Sequence, residues 1–238
     1  MSEVLVTGPS GIVINGFQHT VHLISGAFAL TSTGCNVVGN DAVAGTEAET
    51  GVIVDASSLT HSVGSIHGGA GSTADDLQGA RGIWGPLPTS VSMSGGTITG
   101  GVIASGGLSG APGMVLVDPG SLSFSGGTCT GSAAASGSNC QGGTAFVVSA
   151  TSSNKTIAGG SWVGGAGDGT GPQGFSLGLN ATNGYRIEIT GGTFSGPVSA
   201  NTSSGGYIRV STGVSVVPVN PDGTSKTATS GVGHIDYT

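Results

Sequence analysis

The sequence is poor in charged residues. Lys and Arg together number five and Asp and Glu twelve among 238 residues, and only 7% of the chain is charged. So few cations exclude the basic surface on which nucleic-acid binding depends. No apolar run reaches the ~18 residues of a membrane-spanning helix, and the first residues lack the basic and apolar regions of a secretory signal. We therefore expect no nucleic-acid partner, no signal peptide, no transmembrane segment and no membrane insertion.

Cysteine is also scarce, with Cys35, Cys129 and Cys140 as its three occurrences. Their spacing matches no metal site, so we expect three unpaired thiols, with a Cys129–Cys140 disulfide as the alternative. No glycine-rich loop continues into a Lys-Ser/Thr phosphate-binding pattern, and no Gly-x-Ser-x-Gly elbow is present. The sequence therefore predicts no cofactor and no metal.

Glycine, in contrast, is abundant, with 49 residues. Disorder would require low hydrophobicity or high net charge, whereas 36% of residues are hydrophobic and the net charge is only −7. The apolar residues fall in regularly spaced groups of three or four. These features indicate an ordered, repetitive, β-rich chain.

One six-residue phrase occurs four times, and its two central glycines are followed by Thr or Ser and an apolar residue. The glycine pairs begin at positions 95, 126, 159 and 191, so the spacing between copies is nearly constant. A fixed period of this kind is typical of stacked repeats. The four copies are Met93–Ile98, Phe124–Cys129, Ile157–Trp162 and Ile189–Phe194.

Apolar groups form a second ladder along the whole chain. Their first members are separated by roughly 24 residues at the beginning of the chain and by roughly 31 residues thereafter. Each unit consists of a strand, a turn, a second strand with alternating apolar residues, and a third short strand after Gly-Gly. The first members are Val4, Phe28, Val52, Ile83, Val115, Phe146, Leu177 and Ile208.

This pattern predicts an all-β, single-stranded parallel β-helix, or β-solenoid, in which each strand pairs with its counterpart one rung later. We expect about eight rungs over residues 1–217, with short rungs of about 24 residues in 1–60 and longer rungs of about 31 residues in 61–217. Residues 218–238 are expected to be a C-terminal cap or an assembly tail. The extra residues of the long rungs should stack on one side, often the binding face. They are Gly68–Arg81, Gly100–Gly113, Gly131–Gly143, Gly164–Gly174 and Gly196–Gly206.

Candidate catalytic residues are few. Cleavage of a glycan needs two carboxylates flanking one bond, and Asp75, Asp76 and Asp168 are the candidates. Asp55 and Asp118 occupy equivalent turn positions, where Asp hydrogen-bonds the following backbone. Glu188 alternates with inward residues and is expected to be exposed. Gly164–Asp168 resembles the start of a calcium-binding repeat but occurs once, so we expect no bound calcium.

Candidate ligand-binding residues are Trp84, Trp162 and Arg81. Core or interface packing is the expected role of both tryptophans, and either becomes a sugar-stacking candidate if its ring is exposed. Arg81 belongs to the local charge cluster with Asp75 and Asp76. His61 takes the inward position held by Met93 one repeat later, so we expect a hydrogen-bonded core histidine.

The Gly-Gly-Thr phrase and the rung period resemble right-handed parallel β-helix proteins of the bacteriophage tail-spike and fibre type over about residues 3 to 217. The resemblance is architectural and carries over no site residue. It implies a homotrimer, other virion structural proteins as partners, attachment to a host surface polysaccharide, and location in a virion assembled in the host cytoplasm.

The leading expectation is a non-enzymatic structural or adhesive fibre, spike or tail component. The alternative is a glycan depolymerase, a tail-spike type hydrolase or lyase, that uses the loop carboxylates. A third possibility is an ice-binding or adhesive surface built on the repeated hydroxyls of Thr97, Thr128, Ser161 and Thr193. The Gly-Gly pairs are expected to interrupt any flat array of these hydroxyls.

Overall fold

A computed structural model of the chain describes residues 4–6, 21–30, 36–43, 47–71, 79–103, 109–136, 139–226, 229–231 and 234–237. Every regular element in these ranges is a β-strand, so none of the described residues forms a helix that could cross a membrane. The strands are β1 (Val4–Val6), β2 (Val21–Leu30), β3 (Asn36–Val38), β4 (Val52–His61), β5 (Ser65–His67), β6 (Ile83–Leu87), β7 (Ser90–Thr99), β8 (Met114–Leu116), β9 (Ser121–Thr130), β10 (Phe146–Ala150), β11 (Lys155–Ile157), β12 (Ser161–Val163), β13 (Leu177–Ala181), β14 (Arg186–Ile189), β15 (Thr193–Ser195), β16 (Val198–Thr202), β17 (Tyr207–Ser211), β18 (Pro218–Val219), β19 (Thr229–Gly231) and β20 (His234–Tyr237).

The strands stack as a parallel β-solenoid, as the repeat predicts. Its first sheet consists of β1, the first halves of β2 and β4, and then β6, β8, β10, β13, β16 and β18. The paired residues at its inward position run through Val21, Val52, Ile83, Met114, Phe146 and Leu177. This evenly spaced column gives about five full turns, fewer than the eight rungs expected.

The register explains the difference. Phe28 pairs with Leu59 in the second half of β4, so Val21 is the residue that matches Val52, and this rung is as long as those that follow it. At the other end Ile208 pairs with Ile187 on a different sheet. The first sheet continues instead with Val198 and Pro218, and these last two rungs are shorter than the five that precede them. The segment Gly196–Gly206, expected to be a loop, contains β16.

The second strand of each rung alternates as expected. Val91 and Met93 face inwards from β7 and pair with Leu122 and Phe124 of β9. The parallel part of this second sheet ends with β11, β14 and β17. Its inward residues, with those of the first sheet, fill one continuous hydrophobic core.

The third sheet follows each Gly-Gly corner and consists of β3, β5, the ends of β7 and β9, β12 and β15. The second glycine of each pair has positive φ, from 73° at Gly96 to 112° at Gly192. Glycine reaches this region without the steric cost that a Cβ imposes, so the phrase turns the chain from the second sheet into the third. The inward column contains Val37, Ile66, Ile98, Cys129, Trp162 and Phe194.

Beyond the third sheet, outgoing and returning segments of successive rungs pack directly on each other. The N–H of Gly69 donates to the carbonyl of Glu49, that of Ala80 to Gly69, and that of Gly101 to Ala80. A Cβ on Gly101 would lie 1.8 Å from the carbonyl oxygen of Gly69. We call this stack of residues 39–40, 49, 68–69, 79–80, 100–101, 111, 131–132, 142–143, 164–165 and 174 the glycine seam. It is the one-sided loop stack that the sequence predicts.

The C-terminal end of the solenoid is closed on two of its three sheets. β20 pairs antiparallel with β17 and with β19, so a hairpin covers the end of the second sheet. The first sheet ends with Pro218, which has no N–H to offer to a further strand.

Candidate functional site

The first sheet turns large apolar side chains outwards as well as inwards. Ile53, Trp84, Val115 and Val147 lie side by side in register on its outer surface, and each is partly exposed. We call these four residues the apolar row. The row ends at Gly178, the next residue in register. Contiguous exposed apolar residues of this kind mark interaction surfaces.

Two more apolar residues extend the row at the ends of its strands. Leu87 is 62% exposed and Val117 is 36% exposed. The guanidinium of Arg81 lies 4.9 Å from the centre of the Trp84 ring, a cation–π contact at the rim of the row. The structure therefore brings two of the predicted ligand-binding residues, Arg81 and Trp84, together on the outer surface.

The outer surfaces of the other two sheets are mainly polar in the corresponding rungs, with Val163 of β12 as a partly exposed apolar residue. The second sheet presents stacked Ser and Thr side chains such as Ser58, Ser90 and Ser121. On the third sheet, Thr97 and Thr128 are neighbours in one register. The Gly-Gly pairs lie at the corner before these strands, so they do not interrupt the hydroxyl column, contrary to expectation. Among the described residues of these rungs, only the first sheet combines an apolar core side with an apolar outer side.

Trp162, for which core or interface packing was expected, is 1% exposed and belongs to the core. Its ring stacks on Phe146 at 4.9 Å and meets the edge of Phe124 at 5.0 Å between ring centres. Its indole N–H donates to the carbonyl of Gly159 at 3.0 Å. Both its apolar and its polar parts are thus satisfied within the fold.

Of the predicted catalytic carboxylates, Asp75 and Asp76 lie outside the described residues. The carboxylate of Asp168 accepts hydrogen bonds from the backbone N–H of Cys140, Thr170 and Gly171 and from the Thr170 hydroxyl. The bonds from Cys140 and Gly171 contribute most to lowering the pKa of Asp168 to about 2. Asp168 therefore joins two neighbouring loops as a carboxylate, and the same donors occupy the oxygens that calcium would need.

Asp118 has the turn role that the sequence predicts, with a partner that the sequence does not reveal. Its φ is 47°, and its Oδ1 accepts from the backbone N–H of Thr151 and Ser152 in the next rung. The ammonium of Lys155 lies 3.1 Å from the same oxygen, with side chains 8% and 1% exposed for Asp118 and Lys155 respectively. Lys155 also donates to the Ser153 hydroxyl. Burial acts to raise the pKa of Asp118, but these hydrogen bonds together outweigh it and hold the pKa well below its usual range.

The pair Lys155–Asp118 superficially resembles a catalytic Ser–Lys arrangement because Ser153 is adjacent. A lysine acts as a base only when it is neutral, whereas Lys155 lies in an ion pair with the buried Asp118. The two backbone N–H groups that would stabilise an oxyanion are already bound to Asp118. The cluster therefore fits a structural role.

His61 is a core residue, as expected, but it lacks the hydrogen bonds that were expected for it. It is 1% exposed, and neither ring nitrogen has a hydrogen-bond partner. The side chain packs where Met93 lies in the next rung, and Gly96 closes over its Nε2. Burial lowers the pKa of His61, with a partial opposing effect from the backbone of Thr97.

Cys129 and Cys140 are both buried and are not joined in a disulfide, which agrees with the preferred prediction for these two. Cys129 takes an inward position of the third sheet, and burial raises its thiol pKa. Cys35 lies outside the described residues. Within the described ranges, no three His, Cys, Asp or Glu side chains are grouped so that they could hold a metal ion.

Sequence reasoning missed a cleft near the C-terminal end, of about 540 Å³, lined by residues 202–207 and Arg209. Tyr207 and Arg209 face outwards from β17, beside Arg186 and Glu188 of β14. Glu188 is partly exposed and lies 3.6 Å from the Arg186 guanidinium. The signal was present in the sequence, because both strands place aromatic and charged residues at outward positions where earlier rungs carry Ser or Thr.

Comparisons with models of known protein families, with curated proteins and with solved structures give no match to this chain. The surfaces described above are therefore the basis on which a function is proposed.

Proposed function

We propose that this protein is a non-enzymatic structural component that assembles with further copies of itself through the apolar row. The observation that carries the proposal is the contrast between the sheets: four apolar side chains lie in register on one outer surface, while the other two surfaces carry mainly hydroxyls. Interface centres are depleted in charge and enriched in aromatic residues, and Trp84 lies within the row.

The stoichiometry that we propose is a trimer. Three solenoids with parallel axes and their first sheets turned inwards bury the row of every copy by one symmetry operation. Arg81 and Asp55 lie at the edge of the same surface, so each copy can offer a cation and a carboxylate at the rim. Such rim charges set orientation more than affinity.

The biological setting that we propose is a fibre, spike or tail component of a phage-like particle, with other virion proteins and a host surface glycan as further contacts. Support comes from the resemblance of the solenoid architecture to such proteins. The low charge and the regular stack suit a rigid spacer. Glycan cleavage has less support, because the described candidate Asp168 is committed to loop hydrogen bonds.

The test is the mass of the protein in solution by analytical ultracentrifugation. We expect wild type to sediment as a trimer and Trp84→Glu to sediment as a monomer with unchanged far-UV circular dichroism. Val147→Glu, at the end of the row next to Gly178, is the second variant that we expect to sediment as a monomer. Thr128→Glu, on the outer side of the third sheet, is the matched control and should remain trimeric. A monomeric wild type, or equal dissociation of the control, would contradict the proposal.

A further inference from the structure

The cleft beside β17 has a largely apolar surface that also carries several hydrogen-bonding groups. Thr202, Ser203 and Ser204 contribute hydroxyls, and Tyr207 and Arg209 form its sheet side. Its volume of about 540 Å³ falls within the ~300–1,000 Å³ of small-molecule sites. The turn that builds one wall has positive φ at Ser204, 51°, and Gly205, 79°, and is closed by the Gly206 N–H donating to Ser203.

Two arginines converge on the tyrosine at this cleft. The Arg209 guanidinium lies 5.6 Å from the centre of the Tyr207 ring. Arg186 is the neighbour of Tyr207 in the β14–β17 register, and its pKa is raised by a hydrogen bond to the Tyr207 side chain and by the charge of Glu188. Arg209 is paired in register with Glu188 on one side and Asp236 on the other.

The distribution of charge along the chain favours an anion at this end. Residues 1–80 contain seven Asp and Glu and no Lys or Arg, whereas residues 81–238 contain five of each. Since successive rungs stack along the axis, the net charge of −7 belongs to the N-terminal part of the chain. An anionic ligand therefore meets less repulsion at the C-terminal end, where the cleft lies.

We propose that this cleft binds an acidic saccharide. Its carboxylate takes the guanidinium of Arg209, a planar donor that matches a carboxylate in two parallel hydrogen bonds. The ring hydroxyls meet the hydroxyls of Thr202, Ser203 and Ser204, and the Tyr207 side chain forms the apolar and phenolic wall. A simple inorganic anion can accept hydrogen bonds from the guanidinium and the hydroxyls but has no ring to lie against the Tyr207 side chain, so the apolar wall favours the saccharide.

The inference rests on the proposed function in one respect: it identifies a ligand class for the surface contact that the proposed assembly leaves open. The cleft lies at the corner between β16 of the first sheet and β17 of the second, beyond Gly178, where the apolar row ends. Saccharide binding and self-assembly are therefore separable by experiment.

The experiment titrates the full chain with glucuronic acid, with glucose and with sodium sulfate, and follows binding by saturation-transfer-difference NMR for the sugars and calorimetry for all three. Glucose carries a hydroxymethyl group in place of the carboxylate, and sulfate supplies an anion without the sugar ring. We expect glucuronic acid to bind at least about tenfold more tightly than either, since a charge-assisted pair and the hydroxyl contacts act together.

Arg209→Gln is expected to weaken glucuronic acid binding about tenfold while the thermal midpoint of unfolding stays unchanged. Arg81→Gln is the matched control, because Arg81 also lies over an aromatic ring but on the first sheet, away from this cleft. The control should bind as wild type does.

Three results would overturn the inference: no binding of glucuronic acid, sulfate binding as tightly as glucuronic acid, or equal weakening by Arg81→Gln. Sedimentation of the same samples separates the two proposals. A trimer that ignores glucuronic acid refutes only the cleft, and a monomer that binds it refutes only the assembly.

Discussion

A single lysine interrupts the inward apolar column of the second sheet. Lys155 takes the position that Ile187 holds one rung later, and its ammonium reaches Asp118 at the turn of the first sheet. Removing one member of a buried ion pair leaves the other charge without compensation, whereas removing both is often nearly neutral. The pair therefore contributes more to which register forms than to net stability.

We expect Lys155→Met alone to lower the free energy of unfolding by about 3–5 kcal/mol. The double variant Lys155→Met with Asp118→Asn should lie within about 1 kcal/mol of wild type. Asn tolerates the positive φ of position 118 and keeps an oxygen for the Thr151 and Ser152 N–H groups. Urea denaturation at neutral pH measures all three proteins.

The same pair has a pH signature. The folded-state pKa of Asp118 is lower than its usual 3.8, so its contribution is complete well above that value and decreases as the pH falls below it. Wild type should thus lose stability in acid as Asp118 becomes protonated. The double variant has no carboxylate at position 118 and should not show this part of the loss. An equally steep acid loss in both proteins would contradict the assignment.

At the scale of elements, the glycine seam leaves no space for a Cβ at its glycine positions. Segments alternate between outgoing and returning directions, and their backbones approach so closely that side chains have no room. The approach brings each glycine Cα–H towards a carbonyl oxygen, a weak but repeated contact. The seam thus replaces side-chain packing by backbone packing on one side of the solenoid.

We expect Gly101→Ala to cost about 3 kcal/mol or more, because its Cβ would lie 1.8 Å from a backbone oxygen that cannot move independently. Gly178→Ala is the matched control: it lies in β13, and its nearest neighbour, the Cγ2 of Val147, is 3.3 Å away on a side chain that can adjust. The control should unfold within about 1 kcal/mol of wild type. Equal thermal midpoints for the two variants would contradict this account of the seam.

Much of the fold was predictable because its signals are local. The alternation of Val91 and Met93 and the Gly-Gly corner fixed the second sheet and the turn into the third. The rung count was not predictable from spacing, since β2 spans two sheets and holds two apolar groups, one at Val21 and one at Phe28. Counting from Phe28 to Val52 makes this rung too short. Only the hydrogen-bonded register shows that Val21, and not Phe28, is the partner of Val52.

The candidate surfaces were harder to predict for a related reason. An apolar triplet such as Val52–Val54 reads as wholly buried, but a strand turns every second side chain outwards. Ile53 therefore belongs to the apolar row, and Val115 points away from the core while Met114 points into it. The cleft at Tyr207 was missed although its signal is local, since the turn at residues 203–206 leads directly into β17, where Tyr207 and Arg209 hold outward positions.

At the scale of the whole molecule, the C-terminal end is built to stop the stack. Parallel solenoids expose strand edges at their ends, and an exposed edge recruits further strands. The β19–β20 hairpin reverses direction and covers β17, and Pro218 withholds an N–H from the end of the first sheet. Growth along the axis is thereby hindered at two of the three sheets, while the lateral apolar row stays open.

We expect removal of residues 227–238 to convert this end into an adhesive one, because β17 then presents unpaired backbone groups along Tyr207–Ser211. Sedimentation velocity should show species whose mass grows with protein concentration. Trp84→Glu in the same truncated chain removes lateral assembly, so association that persists there arises from the exposed edge. If the truncated Trp84→Glu protein instead remains a folded monomer at all concentrations, the hairpin does not serve as the stop, and another segment of the chain must protect β17.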